Sequence, residues 1–235
     1  MNAVTPLDQP SSKATPEEVF GFIEAEAHTL GFEYCAHGLR MPVPITRPHT
    51  TYFSNYDPEW QRRYRENNYL EIDPTIAHGM RSSEPVVWSD EFFVRSPELW
   101  QEAQTFGLKH GLAQSRRDSE GTYSMLVLAR SSGPIGPEQL AEIDRKLQWL
   151  VHVSHVSMKA SCNTEHWQTN PNRLSEREIS VLRWTADGKT SAEIAEIMAV
   201  SERTVNFHVN SAVSKLGASN KTSAVVRAAM LGLMW

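Results

Sequence analysis

Two asparagines four residues apart, Asn206 and Asn210, have the types and the spacing to read DNA. On a helix they lie on one ridge, and an asparagine side chain pairs with the edge of an adenine in the major groove. Phe207 lies between them, where it could contact a thymine methyl group. Apolar residues recur at positions 205, 209, 212, 213 and 216, which predicts a buried helix face opposite this ridge. Taken alone, the ridge fits a solvated polar face equally well.

Helix-start signals around this pair predict four short helices within residues 174–234. Two hydroxyl residues are each followed three positions later by glutamate, the spacing of a capping box. These pairs are Ser175 with Glu178 and Thr190 with Glu193. Ser201 is a third N-cap residue, and it begins the helix that carries the two asparagines. The last helix is predicted over residues 222–231. Its small residues fit either a close contact between two copies or the core: Ala224, Ala228 and Ala229.

Charge is distributed unevenly along the chain. Residues 172–235 hold eight Lys or Arg and six Asp or Glu, a net charge of +2, while the rest holds fifteen and twenty-two, a net charge of −7. A positive excess beside a polar ridge favours a DNA-binding surface. Its predicted contacts are Lys189, Thr190, Arg203, Asn206, Phe207, His208, Asn210 and Lys221, with Lys215 as a further phosphate contact. Because the excess is small, we expect two copies to bind together, on half-sites about 10 bp apart.

A second set of residues has the chemistry of a small-molecule pocket. Tyr56, Trp60, Tyr64, Asp73 and Trp88 fall within 33 residues, and helical spacing puts Trp60 and Tyr64 on one face. If that face covers a sheet, it offers apolar walls with indole, phenol and carboxylate groups inside. An aromatic core whose polar groups are satisfied internally is the alternative explanation.

The elements that would position this set predict an α+β domain. Strands are expected at residues 34–39, 51–54, 112–115 and 124–129, and helices at residues 16–30, 60–67, 96–106 and 137–159. This order favours an α-β-α sandwich, in which helices cover both faces of an antiparallel sheet. A polar stretch containing Pro171 predicts a linker. The predicted organisation is a ligand-binding domain at 1–160, the linker at 161–172, and an all-α four-helix domain at 173–235.

Both sets of residues resemble those of one known family. Leu174-Ser-Glu-Arg-Glu178, Trp184-Thr-Ala-Asp-Gly-Lys189, Glu193-Ile-Ala195 and Ser201-Glu-Arg-Thr-Val-Asn-Phe-His-Val209 resemble the helix-turn-helix domain of LuxR-type quorum-sensing regulators. Tyr56-x-x-x-Trp60-x-x-x-Tyr64, Asp73-Pro74, Trp88 and Gly111 resemble the pocket signature of the autoinducer-binding domain of the same family. The resemblance implies a homodimeric transcriptional regulator that binds an N-acyl-homoserine lactone and double-stranded promoter DNA.

The resemblance also implies roles for single residues. The Trp60 indole would donate to the lactone carbonyl and Tyr56 to the first acyl carbonyl, while Asp73 would accept from the ligand amide. Tyr64 and Trp88 would enclose the acyl chain. At Val127, where many relatives have a hydroxyl residue, this chain departs from the pattern, and Thr75 is a candidate to replace that hydroxyl. Gln61 stands where some responders to long-chain lactones have arginine.

Other function classes have less support in the sequence. A ligand-independent or orphan regulator, controlled by a protein partner, is the alternative. Catalysis is not expected, because His152 and His155 have no accompanying metal motif and there is no glycine-rich phosphate loop. We expect no cofactor and no metal. The lack of an apolar run of roughly 20 residues, and two cysteines without redox spacing, predict a cytoplasmic protein that does not contact a membrane.

Overall fold

The computed structural model describes residues 9–11, 13–162 and 174–234. The described residues pack as two compact units. One contains those of Met1–Arg40, Thr50–Arg117 and Tyr123–Asn163, and the other those of Met41–His49, Asp118–Thr122 and Thr164–Trp235. Of the predicted linker, residues 163–172 lie outside the described residues, and residues 161 and 162 end a helix.

The first unit contains a five-stranded antiparallel sheet with strand order β2-β1-β5-β4-β3. Its strands are β1 (Tyr34–Arg40), β2 (Thr50–Ser54), β3 (Val86–Val87), β4 (His110–Arg117) and β5 (Tyr123–Arg130). The four predicted strands are confirmed, with β4 beginning two residues earlier than expected. Strand β3 was not predicted, because a strand of two residues is too short to show an alternating pattern.

Five helices accompany this sheet, and proline is the first residue of each. They are α1 (Pro16–Thr29), α2 (Pro58–Glu66), α3 (Pro74–Gly79), α4 (Pro97–Thr105) and α5 (Pro137–Cys162). Proline is favoured there because its fixed φ suits a helix and its missing N–H has no partner to lose. Helix α3 was not predicted, although Asp73 followed by Pro74 is a helix-start signal. A single 3-10 turn covers Tyr69–Glu71.

Helices cover both faces of the sheet, which confirms the predicted α-β-α sandwich. On one face α1 and α5 pack against each other and against β1, β4 and β5. On the other face, Ala36 and Ala129 lie in one core cluster with residues of α2 and α4, including Trp60 and Trp100.

Four helices make up most of the second unit, as predicted: α6 (Glu176–Ala186), α7 (Ser191–Met198), α8 (Glu202–Lys215) and α9 (Lys221–Met230). Both predicted capping boxes are present, at the starts of α6 and α7, and Ser201 caps α8. Ala224 and Ala228 are fully buried with Leu182 and Ala212. These two alanines therefore belong to the core of the unit, which decides between the two roles considered for them.

Candidate functional site

The sheet face under α2 and α4 has a floor of small side chains. Ala36, Val127 and Ala113 lie directly opposite one another on β1, β5 and β4. Gly38 lies two residues farther along β1, and a Cβ added there would meet no atom within 4 Å. Small side chains on three neighbouring strands leave room for a ligand above the middle of the sheet.

The aromatic residues predicted from the sequence form the wall over this floor. Trp60 on α2 is 3% exposed, and its ring centroid lies 5.8 Å from that of Tyr64. Tyr56, Tyr64, Trp88 and Val127 belong to the same cluster as Trp60. The structure therefore brings together five of the seven predicted pocket residues in one apolar cluster.

Three hydrogen-bond donors in this wall have no acceptor among the described residues. Neither the Trp60 indole N–H nor the Tyr56 hydroxyl donates to another of these residues, and the Trp88 indole N–H is buried without a partner. Burial raises the pKa of Tyr56 well above its usual value, so its hydroxyl keeps its proton. A donor that is buried without a partner costs about 1–3 kcal/mol. These three groups therefore favour a ligand with acceptor oxygens.

The remaining two predicted residues, Asp73 and Thr75, are joined to the wall through Tyr64. The Tyr64 hydroxyl donates to Asp73 Oδ2 over 2.8 Å. Asp73 Oδ1 accepts from the Thr75 backbone N–H over 2.8 Å and from the Thr75 hydroxyl over 2.6 Å. The hydroxyl proton of Thr75 is therefore already in a hydrogen bond to Asp73. Thr75 does not replace the hydroxyl that Val127 lacks.

The carboxylate of Asp73 is poised to accept one more hydrogen bond. Burial raises its pKa, and hydrogen bonds from Thr75 and Tyr64 oppose that increase. Burial and the nearby charge of Asp73 raise the pKa of Tyr64, which stays a donor. A carboxylate oxygen can accept two hydrogen bonds. Oδ2 receives the Tyr64 hydroxyl, so an amide N–H of a ligand is a suitable further partner.

Trp88 closes one end of the floor because Gly111 has no side chain. The Trp88 backbone N–H donates to the Gly111 carbonyl over 2.8 Å. A Cβ added at Gly111 would lie 2.5 Å from Trp88 Cε3. The Trp88 ring also makes edge contacts with Phe93 and Trp100. The indole is thus wedged between the strand and α4.

The small and apolar residues that complete this site were not predicted from the sequence. Ala36 and Ala113 form part of the floor, and a second cluster contains Ala113, Tyr123 and Met125, with Ile76 and Val127 packed against it. Val127 borders both clusters. Strand alternation from Val127 is a signal by which Met125 can be found, whereas the small residues opposite Val127 on the neighbouring strands can be paired only once the register is known.

On the second unit, α8 presents the predicted ridge. Arg203, Asn206 and Asn210 are exposed, and Phe207 is 67% exposed. His208 is half-buried and its ring contacts that of Phe207 at a centroid distance of 5.5 Å. The buried side of α8 consists of Val205, Val209 and Ala212. This arrangement is the two-faced helix that the spacing predicted.

The remaining predicted DNA contacts lie at helix starts. Lys189 is half-buried and precedes Thr190, whose side chain caps α7. Lys221 is the first residue of α9. Lys215 instead donates to Glu178 Oε2 over 2.9 Å. Burial acts to raise the pKa of Glu178, but hydrogen bonds from Lys215, Ser175 and Ser211 lower it to about 2. The charge of Lys215 is therefore neutralised within the unit.

Comparison with protein families identifies both halves of the chain. Residues 15–158 match the autoinducer binding domain, and residues 172–228 match the bacterial regulatory proteins of the luxR family. The chain belongs to the luxR family. It is a quorum-sensing transcriptional regulator with an autoinducer-binding domain and a DNA-binding helix-turn-helix domain.

Relatives of the luxR-family chain are similar over nearly their whole length. The transcriptional activator protein AnoR of Acinetobacter nosocomialis is 44% identical, over 93% of this chain and 92% of AnoR. The quorum-sensing regulator RhlR of Pseudomonas aeruginosa is 42% identical, over 92% of this chain and 89% of RhlR. A crystal structure of Escherichia coli SdiA has a TM-score of 0.80 and 37% identity, covering 94% of this chain and 93% of SdiA.

Among the described residues, no helix is long and apolar enough to cross a membrane. The same residues contain no group of three or more His, Cys, Asp or Glu that could hold a metal ion. His152 is exposed, whereas His155 is buried and its Nδ1 lies 2.7 Å from Ser124 Oγ.

Proposed function

We propose that the autoinducer of this luxR-family protein is an N-acyl-homoserine lactone, bound between the small-residue floor and the aromatic wall. The observation that carries the proposal is the set of polar groups at Tyr56, Trp60 and Asp73. The donors of Tyr56 and Trp60 have no acceptor among the described residues, and Asp73 Oδ2, which accepts from Tyr64, can accept one more hydrogen bond. An acyl-homoserine lactone offers two carbonyl oxygens and one amide N–H, which is the complementary set.

Each pocket residue then has a distinct part. Trp60 donates to the lactone carbonyl and Tyr56 to the acyl carbonyl, while Asp73 accepts from the amide. Tyr64 and Thr75 hold Asp73 in place through the hydrogen bonds described above. Trp88 and Val127 enclose the acyl chain, Val127 through its methyl groups alone.

A structure of SdiA supports the general shape of this ligand. SdiA in complex with octanoyl-rac-glycerol has a TM-score of 0.78 and 37% identity with this chain, covering 94% of this chain and 90% of SdiA. That molecule, like an acyl-homoserine lactone, joins a polar head to an acyl tail. It has an ester in place of the amide, so it lacks the amide N–H that is proposed to donate to Asp73, and only its glycerol hydroxyls can donate there.

The ligand proposal is tested by thermal unfolding of the full chain with octanoyl-homoserine lactone and with octanoyl glycerol. We expect the lactone to raise the melting temperature more, because ligand that binds only the folded state stabilises it by mass action. Asp73→Ala should abolish the response to lactone, and Trp60→Phe should weaken it. Trp100→Phe is the matched control, since the Trp100 indole already donates to Asp90 over 2.7 Å. An unchanged melting temperature with every acyl-lactone would leave a ligand-independent regulator as the function.

We further propose that the protein binds pseudo-palindromic promoter DNA as a homodimer. Asn206 and Asn210 read base edges, with Phe207 against thymine methyl groups. The phosphate contacts are proposed to be Lys189, Thr190, Arg203, His208 and Lys221. Asn206→Ala and Asn210→Ala should each relax the preference at single base pairs by about 1–3 kcal/mol. Ser214→Ala, which changes another exposed residue of α8, is the control. Equal losses on every DNA sequence would show that the asparagines contact only phosphate.

The proposed organisation keeps the predicted boundaries: a ligand-binding domain at 1–160, a linker at 161–172 and a DNA-binding domain at 173–235. The two family matches, at 15–158 and 172–228, support this division. We propose that the protein acts in the cytoplasm, where promoter DNA is accessible, and that it uses no cofactor and catalyses no reaction. Hydrolysis of an acyl-lactone by the purified protein would contradict the last point.

A further inference from the structure

A hydrogen bond joins the two helices of the helix-turn-helix at the reading surface. The Ser191 hydroxyl donates to Asn206 Oδ1 over 2.8 Å. Ser191 is the first residue of α7, and Asn206 lies on the exposed ridge of α8. One side of the Asn206 amide is therefore engaged by the protein itself before any DNA is bound.

The backbones on either side of this hydrogen bond are held in place. The side chain of Thr190 accepts from the Glu193 backbone N–H, and Glu193 accepts from the Thr190 backbone N–H over 2.8 Å, which fixes the start of α7. Ile194 on α7 and Val205 on α8 are fully buried in one core cluster. The distance between Ser191 and Asn206 is thus set by the capping box and the core.

In the structure this hydrogen bond places the carbonyl end of the Asn206 amide against Ser191. An asparagine amide has a carbonyl acceptor and an NH2 donor, and rotation by 180° about its last bond exchanges the two. A serine hydroxyl can donate to Oδ1 or accept from Nδ2, and the structure has the first arrangement. The Nδ2 group then faces the solvent as a donor, ready for an acceptor on a base edge.

We propose that Ser191 is a positioning residue that presents Asn206 to DNA as a hydrogen-bond donor. This inference rests on the proposed function, in which Asn206 reads a base. In the major groove, purines present N7 as an acceptor, whereas cytosine presents the N4 amine as a donor. Asn206 so oriented favours a purine and disfavours cytosine at the base that it contacts. Without Ser191 the amide rotates freely and can also accept from cytosine N4.

The test measures dissociation constants of the full chain, in the presence of octanoyl-homoserine lactone, for four duplexes that differ only at the base pair read by Asn206. A duplex library randomised over one half-site and selected with the unmodified protein identifies that pair. Ser191→Ala should lower the discrimination between purine and cytosine about three- to tenfold, the value of one hydrogen bond. Ser191→Thr keeps the hydroxyl and should restore the discrimination. Ser180→Ala removes a hydroxyl that bonds only within α6 and is the control.

A double-variant cycle separates the outcomes. In the Asn206→Ala background, Ser191→Ala should cause no further change in base preference. If Ser191→Ala weakens all four duplexes equally, and does so in both backgrounds, the serine is a phosphate contact and the positioning role is wrong. If Asn206→Ala leaves the preference unchanged, the base-reading role proposed for Asn206 fails, whatever Ser191→Ala does.

Discussion

The two faces of the sheet in the first unit differ in what fills them. On the face toward α1 and α5, the strands contribute Leu39, Leu112, Leu126 and Leu128, each no more than 1% exposed. On the opposite face, the same strands contribute Ala36, Ala113 and Val127 under an aromatic wall with unused donors. One face is filled by large aliphatic side chains around buried polar residues such as His37, and the other combines small side chains with an aromatic wall whose donors lack partners.

The two faces therefore have separate roles. Burial of large aliphatic side chains stabilises the fold in the absence of any guest, at about 25 cal/mol per Å² of apolar surface. A face with a small-residue floor gains its full stabilisation only when a ligand fills it. Stability of the first unit should therefore depend on ligand through one face alone.

The largest expected effect comes from Leu128→Ala on the sheet face toward α1 and α5, the filled face. Removing a fully buried leucine side chain costs about 2–5 kcal/mol, and we expect the same loss with and without octanoyl-homoserine lactone. Val127→Ala, one residue away on the opposite face, is the matched variant and should lose part of the response to the ligand. Urea unfolding in both conditions measures the two losses. A ligand-dependent loss for Leu128→Ala would mean that the faces are not independent.

Gly111→Ala tests the end of the floor that Trp88 closes. Its Cβ would lie 2.5 Å from Trp88 Cε3, so the indole must move. Overpacking of this kind costs about 1–3 kcal/mol, and the displaced ring should also weaken lactone binding. Thermal unfolding gives the first effect and a ligand titration the second. Full stability together with unchanged affinity would show that Trp88 does not form a wall of the site.

The sequence predicted those parts of the fold that depend on local chemistry. Capping boxes such as Ser175 with Glu178, and the alternation within β5, depend only on neighbouring residues and were confirmed. The aromatic set around Trp60 was recognisable because helical spacing and the family resemblance pointed to the same residues. In contrast, the floor at Ala36 and Ala113 depends on which strands are neighbours. That pairing arises from contacts distant in the sequence, and alanines carry no distinguishing chemistry.

The same reason explains the errors about polar partners. Thr75 was a candidate to replace the hydroxyl missing at Val127, but Asp73 lies within hydrogen-bond distance and takes its proton. Lys215 was a candidate phosphate contact, but Glu178 is its partner from another helix. A sequence shows which groups can form hydrogen bonds, whereas three-dimensional packing decides which partner each group finds.

Acid should destabilise the filled face through His37. Both ring nitrogens of His37 are buried without a partner among the described residues. Burial, together with the charge of His155, lowers the pKa of His37 from 6.5 to about 3. Below pH 6.5 His37 is protonated in the unfolded chain but stays neutral in the folded chain. The free energy of unfolding therefore falls as the pH falls. The free energy of unfolding should fall by about 1.4 kcal/mol per pH unit, which is the slope that the uptake of one proton on unfolding produces.

Unfolding measurements between pH 7 and about pH 5 measure this slope, and His37→Gln should reduce it. His152→Gln is the matched control, because His152 is exposed on α5. The neighbouring His155 keeps its contact with Ser124, 2.7 Å from Nδ1 to Oγ, in both variants. The same slope in His37→Gln as in the unmodified protein would mean that other groups cause the loss.

The smallest effect on stability without ligand is expected for Gly38→Ala, on the sheet face of Ala36, Ala113 and Val127. A Cβ added at Gly38 meets no atom within 4 Å, so the methyl group should cost little in the absence of ligand. Its neighbours across the sheet, Met125 and Tyr52, need not move. The methyl group does, however, take space above the floor that Ala36 and Val127 leave free. We therefore expect a nearly unchanged melting temperature without ligand, combined with a shift in preference toward lactones with shorter acyl chains.

Gly21→Ala, at a helical position that is also free of contacts within 4 Å but lies on α1, should not change the acyl preference. If Gly38→Ala destabilises the protein without ligand as much as Gly111→Ala does, the middle of the floor is already filled, and the contrast between the two faces does not hold.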